Sequence, residues 1–182
     1  MYGLINRAVC DLVCRNFDEA TWQRIKARSG VAVDVFLSME TYPDDVTVSL
    51  VMAAATELNI TPTAVLELFG EHWVGYAAGH GYRDLMQVRG ESLFAFIARL
   101  DDLHSRLSLT FPKLKPPSFR TSEVSECSLR LHYVSERTGL GPFVVGLVRG
   151  LGKLFGTPVN VVHDVVRGEA RDHDELLVTL RS

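Results

Sequence analysis

One amphipathic segment, Glu91 to Leu109, constrains the fold of this chain more than any other stretch. At roughly 100° per residue, a helix places its apolar side chains in a single arc. That arc contains Leu93, Phe96, Ile97, Leu100 and Leu107. His104 falls inside the arc, and the flanks and opposite face carry Asp101, Asp102, Ser105 and Arg106. A single helical histidine is most often a core residue bonded to a backbone carbonyl, so this segment alone leaves its role open.

Composition and charge exclude several classes of protein. The chain has 182 residues, enough for one domain that buries roughly 70% of its unfolded surface. With 47% hydrophobic residues and a net charge of -3, it is expected to fold and not to bind nucleic acid. No apolar run reaches the roughly 20 residues of a membrane span, and no signal peptide is evident, so a cytoplasmic protein is expected. Three cysteines, an odd number, do not predict a disulfide framework.

The first sixty residues predict three helices. One ends near Asn16, the second is capped by Asp18 and closed by Gly30, and the third follows Asp44 or Asp45. Cys10 and Cys14 lie four residues apart and share a face of the first helix. A packing role is a better interpretation of these two cysteines than a metal or redox site, because no histidine lies nearby in the sequence.

A fourth helix begins at Thr61-Pro62 and is expected to end at Gly79 and Gly81. Its apolar stripe contains Leu66, Phe69, Trp73, Tyr76 and Ala77. Aromatic residues at this spacing are usually core, so Trp73 lines a pocket only if a ligand is present. A short helical turn is predicted at residues 84–88, and Ser92 is the expected cap of the helix that carries His104.

Paired strands are predicted after the stiff proline segment Pro116-Pro117, at residues 118–123 and 127–137. The second strand alternates, so it places Tyr133, Ser135 and Arg137 on one face. A phenol, a hydroxyl and a guanidinium in a row suit a ligand with two carboxylates. The ordinary alternative is a half-buried strand with a polar end.

The last third predicts a helix opened by Pro142 and closed by Gly156, then two strands at residues 159–165 and 176–180. Gly146 and Gly150 inside this helix require that something bulky or flat approaches closely, either a neighbouring helix or a porphyrin. The predicted fold class is α+β: an N-terminal helical lobe, then helices packed on a four-stranded antiparallel sheet. A single domain, 1–182, is expected, with lobes at 1–60 and 61–182.

The sequence contains four parts that a heme pocket needs. They are a histidine in an apolar stripe, the Pro116-Pro117 segment, a second apolar wall, and the anion-binding group Tyr133, Ser135 and Arg137, here called the clamp. Four motifs also occur in the order and spacing of a known family: Met1-Tyr2-Gly3-Leu4-Ile5-Asn6, Leu100-Asp101-Asp102-Leu103-His104, Pro116-Pro117-Ser118-Phe119 and Tyr133-Val134-Ser135-Glu136-Arg137. In this combination the chain resembles the heme nitric oxide/oxygen binding (H-NOX) domain, which is also the sensor end of soluble guanylate cyclase. The resemblance spans essentially all 182 residues.

The resemblance implies a role for each motif residue. His104 would be the axial ligand of the iron in heme b, and Tyr133, Ser135 and Arg137 would hold the heme propionates. Ile5 and Pro117 would press on the porphyrin and distort it. The distal wall would consist of Trp73, Phe143 and Leu147.

The resemblance also implies a function. The chain would be a sensor of nitric oxide and carbon monoxide, and nitric oxide would weaken or break the bond to His104. No cyclase or kinase sequence follows, so it resembles the stand-alone bacterial form that reports to a separate signalling protein such as a histidine kinase or a diguanylate cyclase. The helix face bearing Asp102 and Arg106, or the lobe boundary near it, is the expected output surface.

Two departures from the family narrow these expectations. Members that bind dioxygen stably present a tyrosine five residues after the motif arginine, where this chain has Pro142, so nitric oxide is the favoured ligand. Some relatives bind zinc through cysteines near the C-terminus, but no cysteine follows His163 or His173 here, so a metal site in that region is not expected.

Two other classes of function remain as alternatives. A heme peroxidase needs a distal histidine or arginine, and none is identifiable among the predicted wall residues, so an enzyme is not expected. A heme-free module for a small apolar carboxylate would use the same cavity and the Arg137 clamp, with His104 incidental.

Overall fold

The computed structural model describes residues 1–82, 92–168 and 172–181, and the chain divides into two compact units, Met1–Phe69 and Gly70–Ser182. The boundary between the two units falls inside a helix, Pro62–Ala77. The predicted single domain with lobes at 1–60 and 61–182 stays a prediction. The fold is the predicted α+β type, with seven α-helices and one four-stranded antiparallel sheet in the described residues.

The first unit contains helices α1 (Gly3–Asn16), α2 (Glu19–Ser29) and α3 (Asp44–Leu58), which confirms the three predicted helices. Asp18 caps α2 by accepting a hydrogen bond from the backbone N–H of Thr21, and Gly30 ends it with φ +68°. These helices bury a shared apolar core that includes Ala8, Val9, Val13, Trp22, Ile25, Leu50, Val51 and Ala54.

The N-terminal motif of this unit is fixed by close backbone contacts. The N–H groups of Gly3 and Leu4 donate to the carbonyls of Glu40 and Ser38. A Cβ at position 3 would overlap the Leu37 carbonyl, so only glycine fits there.

Helix α4 (Pro62–Ala77) begins as predicted, with the Thr61 hydroxyl accepting from the N–H of Ala64. It ends at Ala77, close to the predicted end at Gly79 and Gly81, and both glycines lie in a π-helical turn over Ala78–Tyr82 that the sequence did not predict. The ring of His80, in this turn, hydrogen bonds with the carbonyl of Tyr76 in α4 at 2.7 Å. The predicted turn at residues 84–88 and the start at Glu91 lie outside the described residues.

The predicted continuous helix around His104 is wrong, because it is two helices, α5 (Leu93–Ala98) and α6 (Leu100–Thr110). Arg99 interrupts the helical conformation with φ -113° and ψ 18°, and its carbonyl accepts from Asp102 and Leu103 to start α6. Ser92 therefore caps α5, not the helix that carries His104. In α5 the apolar stripe is buried, whereas His104 and the other stripe residues of α6 are half-buried.

The sheet contains β1 (Ser118–Ser122), β2 (Ser128–Val134), β3 (Val159–Val165) and β4 (Asp174–Leu180), in the order β1-β2-β4-β3. In β2 the predicted alternation is confirmed: Leu129, Leu131 and Tyr133 are buried, while Arg130 and His132 are only half-buried. The buried face of the sheet packs with α5 and with α7 (Gly141–Leu154), the helix that Pro142 opens.

The predicted strand 127–137 is too long, because β2 ends at Val134. Its neighbours end there as well: Val134 pairs with Ser118, the first residue of β1, and Tyr133 pairs with Asp174, the first residue of β4. Pro116-Pro117 cannot extend the ladder, since proline lacks an N–H donor. Ser135 and Arg137 thus lie in the loop beyond the sheet.

The close approach expected at Gly150 is that of a neighbouring helix. A Cβ there would come within 2.8 Å of the Glu71 carbonyl of α4, and a Cβ at Gly70 would overlap the Phe143 carbonyl of α7. Glycines at both positions let the backbones of α4 and α7 touch. Among the described residues no single helix is long and apolar enough to cross a membrane, and α3 and α4 satisfy that test only as a bent pair.

Candidate functional site

His104 lies on α6 with its ring stacked on that of Phe119 from β1, at a centroid distance of 5.6 Å and an interplanar angle of 28°. The ring also has a backbone hydrogen bond with Pro117, one residue before β1. The predicted proline and the predicted histidine are therefore in contact. Phe119, which sequence reasoning named only as part of a motif, forms one side of the histidine environment.

The electronic state of His104 suits a metal ligand. Burial lowers the pKa of His104, while the Asp101 carboxylate and the Pro117 hydrogen bond oppose that shift. The imidazole is thus neutral at pH 7, and its buried Nδ1 has no hydrogen-bond partner among the described residues. A buried polar atom without a partner is costly, and a neutral imidazole nitrogen is a common metal ligand. This unpaired nitrogen fits the heme iron that the motifs imply.

Asp101 fixes α6 to β1. Its carboxylate accepts from the backbone N–H of Phe119 at 2.7 Å and from the Ser118 hydroxyl at 2.9 Å. The sequence predicts Asp101 only as a residue on the flank or opposite face of the helix. In the structure its side chain is half-buried and bonded to the strand. Its positioning role depends on a contact 18 residues away, which helical periodicity does not reveal.

Tyr133, Ser135 and Arg137 come together at the end of β2, although not as a strand row. The Tyr133 side chain hydrogen bonds with that of Ser135, and the Arg137 backbone N–H donates to the Ser135 hydroxyl at 3.1 Å. Burial raises the pKa of Tyr133, so its phenol stays protonated at neutral pH and remains a donor. The Arg137 guanidinium donates to the Lys115 carbonyl at 3.0 Å, which ties the clamp to the proline segment.

A second guanidinium, that of Arg167, belongs to the same group of residues. It donates to the Ser135 carbonyl, and its charge acts on Tyr133 together with that of Arg137. The Arg167 backbone N–H donates to Asp174, whose carboxylate also bonds with His163 at 2.8 Å. Sequence reasoning missed Arg167, because it follows β3 and no spacing connects it to the Tyr133 motif.

Phe119 joins the histidine to the clamp. Its ring lies 5.6 Å from that of His104 and 5.4 Å from that of Tyr133. The neutral imidazole and the Tyr133 ring of the donor group therefore both contact one aromatic ring. Two guanidiniums, a phenol and a hydroxyl at that end suit the paired carboxylates of a heme.

The predicted wall residues Trp73, Phe143 and Leu147 are half-buried on α4 and α7, the two helices that touch at Gly70. The Trp73 ring stacks on Tyr76 at 6.1 Å, and Tyr76 stacks on His80 at 4.0 Å. The proposed lining of a ligand pocket by these three residues stays a prediction. Ile5 is half-buried on α1 in the first unit, and its expected pressure on the porphyrin is likewise untested.

The cysteine pair of α1 does not have the properties of a metal or redox site. The two sulfur atoms lie 3.8 Å apart. Burial, with a hydrogen bond to Glu19, raises the pKa of Cys14 to about 12, and burial also raises the pKa of Cys10. Both thiols therefore stay protonated, whereas metal binding and thiol oxidation need thiolate.

Comparison with curated proteins shows that the chain is similar to part of several soluble guanylate cyclases. It is 30% identical to soluble guanylate cyclase gcy-31 of Caenorhabditis elegans over 171 residues, covering 91% of this chain and 24% of that protein. It is 33% identical to gcy-32 of the same organism over 166 residues, covering 89% and 24%. The chain thus spans about a quarter of the length of the relatives that it matches.

Solved structures share the fold. An H-NOX protein from S. oneidensis in the Fe(II)NO ligation state matches with a TM-score of 0.89 at 20% identity, and each chain is covered completely. The NMR structure of the SO2144 H-NOX domain from Shewanella oneidensis in the Fe(II)CO state matches with a TM-score of 0.86, also at 20% identity, covering 100% of this chain and 99% of that one.

The family model described as Haem-NO-binding matches residues 2–163, which include the four motifs named above except for Met1. The resemblance predicted from those motifs is confirmed, and heme is the cofactor of this fold. The chain therefore belongs to the Haem-NO-binding family, the H-NOX domains of heme-based gas sensors.

Proposed function

We propose that this chain senses nitric oxide, and also binds carbon monoxide, at a ferrous heme held by His104. The observation that carries the proposal is the state of that residue: a neutral imidazole with a buried nitrogen that has no hydrogen-bond partner among the described residues. The Phe119 side chain of β1 stacks on the ring, and the Asp101 carboxylate of α6 fixes the Phe119 backbone. When bound, the heme supplies an iron atom with an open position for a diatomic gas.

The donors at the end of β2 bind the propionates in this proposal. Tyr133 and Ser135 each offer a hydroxyl, and Arg137 offers a planar guanidinium that can donate two parallel hydrogen bonds. Arg167 adds a second positive charge beside Ser135. These groups would orient the cofactor relative to His104, because the Phe119 ring contacts both His104 and Tyr133.

Pro142 supports nitric oxide over dioxygen as the physiological ligand. It stands in the first turn of α7, where a family member that binds dioxygen has a tyrosine, and it has neither a hydroxyl nor a backbone N–H. Bound dioxygen draws charge from iron and needs a donor, whereas nitric oxide binds ferrous heme without one. The Shewanella relatives are described in Fe(II)NO and Fe(II)CO states, which is consistent with this choice.

Signalling to a separate protein, such as a histidine kinase or a diguanylate cyclase, is the second part of the proposal. Asp102 and Arg106 are exposed on α6, the helix that carries His104. A change at His104 can thus alter a charged surface on the same rigid element. For such a switch, a tenfold change in partner affinity requires only about 1.4 kcal/mol.

The absorption spectrum of the purified protein tests the assignment of His104. We expect a Soret band that is lost in His104→Gly and is recovered when imidazole is added, because free imidazole can replace the missing side chain. His80→Gly is the control, since His80 is exposed and bonded to its own helix. A Soret band that is unchanged in His104→Gly would overturn the proposal.

A further inference from the structure

The outer face of the sheet carries a cluster of three potential metal ligands: His132, His173 and Glu175. His132 lies on β2 directly opposite Glu175 on β4, and His173 immediately precedes β4. His132 Nδ1 lies 3.0 Å from His173 Nε2 and 4.0 Å from Glu175 Oε1. The remaining pair, His173 Nε2 and Glu175 Oε1, is 3.5 Å apart. All three ligand atoms therefore lie within 4.0 Å of one another.

These separations match the size of a small metal ion. Ligands about 2.1 Å from a tetrahedral zinc ion lie about 3.4 Å from one another. The three observed separations bracket that value. Two imidazoles and one carboxylate are an ordinary zinc donor set that leaves a fourth position for water.

The second nitrogen of each histidine is engaged by an outer partner. His132 Nε2 hydrogen bonds with the Ser122 hydroxyl at 2.7 Å, and His173 Nδ1 with the Asp172 carboxylate at 2.6 Å. Metal-binding histidines usually have such a partner, which fixes the tautomer and orients the ring. The other oxygen of Glu175 accepts from Arg130 at 3.3 Å, so Oε1 is held toward the histidines.

The surrounding charges favour a cation. Arg130 contacts three carboxylates, those of Glu123, Asp164 and Glu175, and Asp172 adds a fourth acidic group beside His173. Glu175 is only 12% exposed, so solvent screens its charge incompletely, whereas Glu123 and Asp172 are 65% and 94% exposed and their charges are largely screened.

We propose that His132, His173 and Glu175 form a binding site for a divalent transition-metal ion, with zinc as the best match. This site is separate from the heme, because His132 and Tyr133 are neighbours on β2 with opposite orientations in the sheet. The sequence has no cysteine after His163, and for that reason it does not predict a metal site in this region. Imidazole and carboxylate serve equally well, and linear spacing does not show that His132 lies beside His173.

Bound metal would join β2, β4 and the turn before β4. Since zinc would bind this arrangement more tightly than the unfolded chain, it would stabilise the fold in proportion to its saturation. The same cluster without metal is a hydrogen-bonded histidine pair with a carboxylate neighbour. That alternative predicts no zinc binding.

The test measures zinc on the intact heme-loaded protein. The protein, purified without a histidine tag and freed of metal with a chelator, is dialysed to equilibrium against a series of buffered zinc concentrations. Elemental analysis then gives zinc and iron per chain. We compare the wild type with His132→Gln, His173→Gln and Glu175→Gln, and the Soret band of each variant checks that the fold is retained.

We expect one saturable zinc per chain in the wild type. Each ligand variant should weaken binding by more than the 10- to 100-fold that the loss of an outer partner costs. Ser122→Ala, which removes one outer partner, should weaken it by about tenfold. The matched control is His163→Gln, a half-buried histidine on β3 that bonds with Asp174 outside the cluster.

Zinc should also raise the melting temperature of the wild type and leave that of His173→Gln unchanged. Three results would overturn the proposal: no zinc bound by the wild type, equal binding by the wild type and both histidine variants, or loss of zinc in His163→Gln alone. None of these results depends on the gas ligand or on the role of His104.

Discussion

The Asp101 carboxylate accepts a hydrogen bond from the backbone N–H of Phe119 at 2.7 Å, joining the first turn of α6 to the first residues of β1. His104, three residues further along α6, stacks on the side chain of the same Phe119. One residue of the strand thus contacts both the acid and the histidine of the Asp101-Asp102-Leu103-His104 motif. Removing this link should alter the position and the charge environment of the imidazole together.

Asp101→Ala should destabilise the protein. It leaves the Phe119 N–H without its acceptor, and an unsatisfied buried donor costs about 1–3 kcal/mol. Asp101→Asn should cost less, because its amide oxygen still accepts that bond. Both variants should lower the pKa of His104 further, since the negative charge that raises it is gone. Urea unfolding measures the first effect, and NMR titration of the imidazole in the heme-free protein measures the second, because a histidine bound to iron does not titrate. Equal stability of Asp101→Ala and wild type would contradict the positioning role.

Arg137→Ala should release heme faster. A hydrogen bond to a charged group contributes about 1.5–3 kcal/mol, which corresponds to heme loss on the order of 10- to 100-fold faster. Lysine at this position should recover only part of the loss, because it offers a point charge in place of a planar pair of donors. Transfer of heme to an apo-acceptor protein measures the rate. An unchanged rate in Arg137→Ala would remove Arg137 from the site.

Arg167→Ala should also accelerate heme loss, by a smaller factor. Its side chain holds the Ser135 carbonyl, so its removal loosens the loop that carries both Ser135 and Arg137. The double variant with Arg137→Ala should lose less than the sum of the two single changes, because both act on one group of donors. Arg181→Ala, an exposed arginine after β4, is the control. Strict additivity would show that Arg167 acts elsewhere.

Much of the fold was predictable because its signals are local. Asp18, Gly30, Thr61 and Pro142 each mark a helix boundary through their own backbone chemistry, and the structure confirms all four. The break at Arg99 carries no such signal, since neither glycine nor proline lies between Leu93 and Thr110. Its apolar stripe continues without interruption through the break, so periodicity alone predicts one helix.

Residues of the candidate site that share one sequence motif were predictable, whereas residues that only the fold brings together were not. Tyr133, Ser135 and Arg137 were found from their spacing, although the strand ends before the last two. Arg167 reaches Ser135 across 32 residues, and His173 reaches His132 across 41. Such contacts depend on strand order, which the pattern of apolar residues does not specify.

Cys14 should react very slowly with alkylating reagents. Only the thiolate reacts, and a pKa of about 12 leaves roughly a thousandfold less thiolate at pH 8 than an ordinary thiol has. Exposed Cys127 should be modified first. Glu19→Ala should lower the pKa of Cys14 and speed its reaction, because the glutamate raises that pKa by accepting a hydrogen bond from the thiol and by its negative charge. Mass spectrometry of a time course distinguishes the three cysteines. Modification of Cys14 before Cys127 would show that the thiol is not suppressed.

The ferrous protein should bind nitric oxide and carbon monoxide but form no stable dioxygen complex in air. Pro142 offers no donor, and Trp73 and Tyr76 are aromatic donors on α4. Pro142→Tyr should lengthen the life of an oxygenated species, whereas Pro142→Phe, with a ring of similar size and no hydroxyl, should not. Absorption spectra after mixing the ferrous protein with air report the complex. A long-lived oxygenated spectrum in the wild type would contradict the ligand assignment, and its loss in Trp73→Phe or Tyr76→Phe would then identify the donor.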